Sequence, residues 1–191
     1  TILAVAFASA YGACFYLAFV YLPEWLSGEE LMSRSTALAI NTAMTVLVIP
    51  AMPLLAIVGD RFMPRKTWIA LAVGALAVIG WPLYAWMSAS DGSMASVVTA
   101  NMITFALLAV PLGSGPALFV EMFPESDRLS GYSVAFNIGL GVVGGLTPMI
   151  ATTMIATTGI VTAPALYMAL AGVAAVVALV LIPDRSRSPL R

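Results

Sequence analysis

The stretch VEMFPESDRLSGYSVAFNIGLGVVGGLTP, residues 120–148, sets a short charged patch against a long run of small and apolar residues. Glu121, Glu125, Asp127 and Arg128 are followed by twenty positions without a charge. A boundary of this kind marks the point where a chain leaves water for lipid, because ionisable groups are costly in hydrocarbon. The whole chain has the same character: 61% hydrophobic and 9% charged residues, no histidine, and a mean hydropathy of +1.02. A soluble domain carries about a quarter charged residues and under half apolar ones. This chain has too few charges to cover a surface in water, so it reads as an integral membrane protein in a lipid bilayer.

Net charge is −1, from eight basic and nine acidic residues, which gives no sign of nucleic acid or of a patch for anionic lipid. The single cysteine, Cys14, rules out an intrachain disulfide. The opening TILAVAF has neither methionine nor a basic stretch and is not a signal peptide. It predicts a trimmed start or a piece of a longer chain.

A helix needs about 20 apolar residues to cross a hydrocarbon core of about 30 Å. Six stretches qualify: 2–22, 36–58, 68–87, 95–122, 131–157 and 161–182. They make a six-helix transmembrane bundle over residues 1–183, with a short basic tail at 184–191. Backbone groups in lipid must pair within their own segment, so the spans are helices and the fold is all-α. Seven of the eight basic residues, Arg61, Arg65, Lys66, Arg128, Arg185, Arg187 and Arg191, fall on one side; Arg34 falls on the other, beside Glu24, Glu29 and Glu30. The positive-inside rule makes the basic side cytoplasmic and puts both termini there. In the cytoplasmic turn before span five, Ser126, Asp127 or Ser130 is expected to cap the helix.

No acid or base lies near the middle of any span. Proton relays and ion paths depend on such groups, and a membrane-embedded hydrolase needs a nucleophile, base or metal cluster. The sequence therefore predicts no enzyme, no cofactor and no metal. The polar residues inside the spans are few, notably Asn41 and Thr45, Asn101 and Thr104, and Asn137 and Thr147. Asn137, Gly141, Gly145 and Pro148 share one side of span five at helical spacing, and Asn101, Thr104, Leu108, Pro111 and Gly115 make a similar stripe on span four. Two readings stand. Either the glycines make a close-packing seam and each asparagine a helix–helix hydrogen bond, or Asn41, Asn101 and Asn137 line a shared aqueous cavity, with Tyr11 and Tyr16 beside them. If the spans split into two sets of three, span two, interrupted by Pro50 and Pro53, corresponds to span five, interrupted by Gly144, Gly145 and Pro148. Interrupted segments at equivalent places point to the moving helices of a transporter.

Residues 121–148 resemble the region of spans ten and eleven in major facilitator transporters, most closely the metabolite:proton symporter branch. That branch has Glu-Leu-Phe-Pro, then Arg, Gly, a Tyr-Asn pair, Gly-Gly and Pro. Here these places hold Glu121, Phe123, Pro124, Arg128, Gly131, Phe136-Asn137, Gly144-Gly145 and Pro148, with Met122 for Leu and Phe136 for Tyr. FYLAFVYLPEWL is similar to the seventh span of the branch, and APALYMALAGVAAVVAL to its twelfth. GDRFMPRK is similar to its loop between spans eight and nine, although Met63 and Pro64 replace the usual Gly and Arg.

The resemblance implies the C-terminal six-helix half of a twelve-helix carrier, itself a 3+3 repeat. It implies proton-coupled uptake of a small organic acid or zwitterionic metabolite across a bacterial inner membrane, in concert with an N-terminal six-helix half. It also implies a cytoplasmic latch of Asp60, Arg61, Glu121 and Arg128. The same four residues equally suit a solvated turn that fixes topology. Other readings of the chain are a half-transporter acting as a homodimer, an exporter or uniporter, and a non-transporting subunit or truncated remnant.

Overall fold

The computed structural model describes residues 2–182. The predicted tail at 184–191, with Arg185, Arg187 and Arg191, lies outside the described residues. Among the described residues, six helices are long and apolar enough to cross a membrane: α1 (Ile2–Gly28), α2 (Arg34–Phe62), α3 (Arg65–Ala89), α4 (Met94–Met122), α5 (Glu125–Thr158) and α6 (Ala163–Leu181). Among the described residues there is no strand.

Several boundaries differ from the hydropathy reading. α1 runs past Leu22 to Gly28 because Pro23 stands where a helical turn tolerates it, and Trp25 and Leu26 bury themselves in the bundle. The outer turns are capped by serine: Ser33 Oγ accepts from the Thr36 N–H at 3.2 Å, and Ser93 Oγ from the Ser96 N–H at 3.3 Å. The expected cap on α5 is not made by a side chain. Asp127 occupies the N-cap position without a side-chain bond, and Ser130 Oγ instead donates to the Asp127 carbonyl at 3.2 Å.

Two helices change their winding part-way. α1 is α-helical over Ile2–Tyr16, π-helical over Leu17–Tyr21 and α-helical again over Leu22–Gly28. α5 begins with a 3₁₀ turn at Glu125–Asp127, is α-helical over Arg128–Phe136, π-helical over Asn137–Gly144 and α-helical over Gly145–Thr158. A π turn holds an extra residue and shifts the phase of everything beyond it. The buried positions of α5, Ala135, Gly139, Gly144, Thr147 and Ala151, show that shift as a five-residue step at the π turn.

The packing repeats itself. α1 lies against α5 and α4 against α2; α3 lies against α6; α3 also contacts α4, and α1 contacts α6. Exchanging the first three helices with the last three maps this set of contacts onto itself, as a 3+3 repeat requires. Lipid offers little hydrophobic drive between helices, so close approach at small residues holds such crossings together. At the α1–α5 crossing, a Cβ on Gly139 would stand 2.4 Å from Ala8 Cβ, one on Gly12 3.0 Å from Leu140 Cα, and one on Gly144 3.0 Å from the Tyr16 ring.

α2 and α5, equivalent in the repeat, are the least covered helices. Two apolar clusters fill the bundle, one around Trp25, Leu76 and Met87, the other around Phe7, Ile69 and Phe119. They define a Trp25 end and an Arg65 end.

Candidate functional site

At the Arg65 end the charges sit where helix dipoles disfavour them. Asp60 and Glu121 lie in the last turns of α2 and α4, and Arg65 opens α3. Pairing compensates. Arg65 donates from Nε and Nη2 to the two oxygens of Asp60 at 2.6 and 2.8 Å, and from Nη1 to Glu121 Oε1. The side chains of Arg65, Asp60 and Glu121 are 31%, 40% and 10% exposed, so Glu121 is the most withdrawn from solvent. Glu121 Oε2 and Arg128 Nε are both buried without a hydrogen-bond partner among the described residues.

Of the expected latch, then, Asp60 and Glu121 are joined through Arg65, a residue that in the sequence counts only among the topology-setting charges. Its position five residues after Asp60, across the Met63–Pro64 corner, is the signal that could have found it. Arg61 stands exposed on the last turn of α2. Lys66 Nζ donates to the Val180 carbonyl at 3.2 Å and to that of Ile182, closing the C-terminal end of α6.

The expected cavity residues fall into two groups. Asn41 and Asn101 each lie about 10 Å along their helices from the Trp25 end, by helical rise. Asn41 Nδ2 donates to the Phe19 carbonyl at 3.0 Å. The Phe19 ring packs on Phe105 at 4.2 Å between centroids, one turn beyond Asn101. Asn101 is buried and donates to the Val97 carbonyl of its own helix at 2.9 Å. The whole stripe Asn101, Thr104, Leu108, Pro111 and Gly115 faces inward.

Asn137, Tyr11 and Tyr16 lie elsewhere. Asn137 is exposed on α5, in the half nearer the Arg65 end, and donates to the Ser133 carbonyl at 2.8 Å. Tyr11 is buried and lines a narrow cleft with Phe7 of α1, Pro111, Gly115, Pro116 and Phe119 of α4, and Phe136 of α5. Tyr16 covers Gly144 at the α1–α5 crossing.

Gly141 and Gly145 are exposed, and a Cβ on either would meet nothing within 4 Å. Within this bundle the seam runs instead through Gly12 of α1 and Gly139 and Gly144 of α5, because the π turn rotates the latter two onto α1. Gly12 follows Ala8 by four residues, a small-xxx-small spacing legible in the sequence. Pro50 and Pro53 flank Met52, whose carbonyl faces Gly113 of α4.

The open face of α5 carries Asn137, Gly141, Gly145, Thr152 and Thr153 among its aliphatic residues. The outward stripe of α6 is purely aliphatic: Leu166, Leu170, Val173, Val177 and Val180. Among the described residues no group of three or more His, Cys, Asp and Glu is placed to hold a metal.

Comparisons with known proteins find membrane transporters among the relatives of this chain. An ectoine/proline transporter of Corynebacterium glutamicum is 28% identical over 193 residues, covering 99% of this chain and 37% of its own. A citrate-proton symporter of Klebsiella pneumoniae is 27% identical over 177 residues, covering 93% of this chain and 39% of its own. A proline/betaine transporter of Escherichia coli is 25% identical over 178 residues, covering 93% and 35%. The chain thus spans little more than a third of the length of the curated relatives it matches. No family model matches it, and no solved structure matches it. The relatives are transporters and not enzymes, in keeping with the likeness to a major facilitator half carried by residues 121–148.

Proposed function

We propose that this chain, a six-helix half of the major facilitator kind, is the C-terminal part of a secondary active transporter that takes up a small organic acid or zwitterion with a proton. The observation that carries this reading is the match, along nearly the whole chain, to transporters named for ectoine and proline, for citrate with protons, and for proline and betaine. Two further observations support a missing half. The relatives are more than twice as long as the matched region. The open face of α5 also exposes an asparagine, which hydrocarbon solvates poorly.

An N-terminal six-helix half, in the same or a separate chain, covers that face and the equivalent face of α2. The two halves rock about a solute held near the midplane, which is alternating access. Asn101, Asn137, Tyr11 and Tyr16 are the groups this half offers to the solute path, and Asn41 shapes that path from α2. The charges of the described residues stand at helix ends, so the groups that titrate the proton and hold the solute's carboxylate belong to the other half. At the Arg65 end, Asp60, Arg61, Glu121 and Arg128 latch one closed state, with Arg65 joining two of them. The membrane is the bacterial inner membrane, with the Arg65 end and both termini in the cytoplasm.

The test is uptake by the full polypeptide that carries this chain, reconstituted in liposomes, with radiolabelled proline, glycine betaine, ectoine and citrate offered separately. Accumulation of one of them under an inward proton gradient, abolished by a protonophore, is expected. Uptake indifferent to the gradient removes the symport reading. Failure to move any of the four removes the proposed substrate class.

A further inference from the structure

We propose that Asn41 is a positioning residue, an amide clamp that holds the π turn of α1 through the Phe19 carbonyl; its role in the transport cycle rests on the transporter reading above. The π turn has a covalent cause. Pro23 has no N–H to offer the carbonyl four residues before it, which is that of Phe19. α1 answers with the π turn Leu17–Tyr21, in which the Leu22 N–H reaches back to the Leu17 carbonyl. Asn41 of α2 supplies the donor that Pro23 lacks, Nδ2 to the Phe19 carbonyl at 3.0 Å.

The other end of that amide is unsatisfied. Asn41 Oδ1 is buried and accepts from no group among the described residues. A buried acceptor without a partner is costly, so the side chain is held by a single donated bond that can be given up. A side chain retained only as a strut would gain from satisfying both ends.

The clamp also reaches beyond α2. The Phe19 ring stacks on Phe15 at 4.6 Å and packs on Phe105 of α4 at 4.2 Å between centroids. Beyond the π turn, Trp25 Nε1 donates to the Val161 carbonyl in the turn before α6 at 2.8 Å. Making the Asn41 bond fixes the π turn, the Phe19 ring and the Leu22–Gly28 segment together. Breaking it frees them together. Asn41 therefore acts on the path through α1 rather than by touching the solute.

The test uses Asn41→Leu, close in size and without a donor, with exchange of backbone hydrogens read by mass spectrometry on the protein in lipid nanodiscs. Exchange over residues 17–24 is expected to rise about tenfold, the fold-change of one lost hydrogen bond of ordinary strength, with α3 and α6 unchanged. Pro23→Ala restores an N–H to Phe19 and is expected to reverse the rise. Pro23→Ala alone, which makes the clamp redundant, keeps the idea testable if Asn41→Leu does not fold: exchange over 17–24 should then fall below that of the native chain.

In the full polypeptide, Asn41→Leu is expected to lower solute turnover while KM stays within about twofold, because the clamp sets a conformational step and not a contact. Unchanged exchange over 17–24, or a rise spread evenly over all six helices, overturns the clamp whatever the transport result. A raised KM with turnover kept also overturns it and makes Asn41 a solute contact. A native polypeptide that moves no solute refutes the transporter reading and leaves the exchange result to decide the clamp.

Discussion

Gly113 of α4 lies so close to Met52 of α2 that a Cβ on the glycine would stand 2.3 Å from the Met52 carbonyl oxygen. The obstacle is backbone, which no rotamer change can move aside. Gly113→Ala is expected to destabilise the bundle by about 2 kcal/mol, in the range of overpacking in a tight core. Gly115→Ala, where a Cβ meets nothing within 4 Å, is expected to leave the bundle as stable or to stabilise it by up to about 1 kcal/mol, the helix-propensity gain of alanine over glycine. Thermal unfolding in detergent compares the two; equal midpoints would show that α2 yields at Met52.

The α1–α5 crossing makes a parallel prediction with an internal control. Gly139→Val is expected to weaken the bundle by about 3 kcal/mol, because its new atoms would enter the α1 backbone at Ala8 and Ser9. Gly141→Val, two residues on, points away from the other helices and is expected to leave the folded midpoint unchanged. The order of the two midpoints checks the phase that the π turn sets. Reversal would place the turn elsewhere in α5.

Much of this architecture is legible in the sequence, and the rest fails for identifiable reasons. Six spans are a property of composition over twenty-residue windows, which neighbouring helices cannot alter. Helix phase is different. Reading α5 at constant spacing joins Asn137, Gly141 and Gly145 correctly, yet hides the seam, because the five-residue step from Gly139 to Gly144 exists only once the π turn forms. Asn101 shows the same limit: its stripe is real, but only the packed bundle shows that Thr104, Leu108, Pro111 and Gly115 bury with it. Arg65 was legible as a charge and not as a hub, since its link to Glu121 spans 56 positions in sequence.

Arg65 joins a half-exposed carboxylate to a nearly buried one, and its removal is expected to act mainly through the second. Arg65→Ala leaves Glu121, 10% exposed, without its partner. The expected loss is about 2 kcal/mol, between the values for an exposed pair and a buried one. Arg65→Lys keeps the charge but not the fork that holds Asp60 through two nitrogens, so it is expected to recover only part of that loss. Adding Glu121→Gln to Arg65→Ala is expected to restore some of the stability by removing the stranded charge, a non-additive result in a double-mutant cycle. Strict additivity would mean that water already solvates Glu121 in the native bundle.

Asn137 stands exposed on a helix whose other outward residues are mostly aliphatic, glycine or threonine. Among the described residues its amide donates to Ser133 of its own helix and makes no hydrogen bond to another helix. Removing it is therefore expected to cost this bundle less than about 0.5 kcal/mol. Transport should respond differently if that face meets the other half or the solute, because Leu there offers no polar group and adds bulk. Asn137→Leu in the full polypeptide is expected to reduce initial uptake at least tenfold while the amount of protein in the membrane is unchanged. Asn137→Gln, which keeps the amide, is expected to retain a larger share. Uptake and membrane abundance measured on the same cells separate these effects. Native uptake in Asn137→Leu would mean that this face of α5 meets lipid alone, and the second half would then have to dock elsewhere.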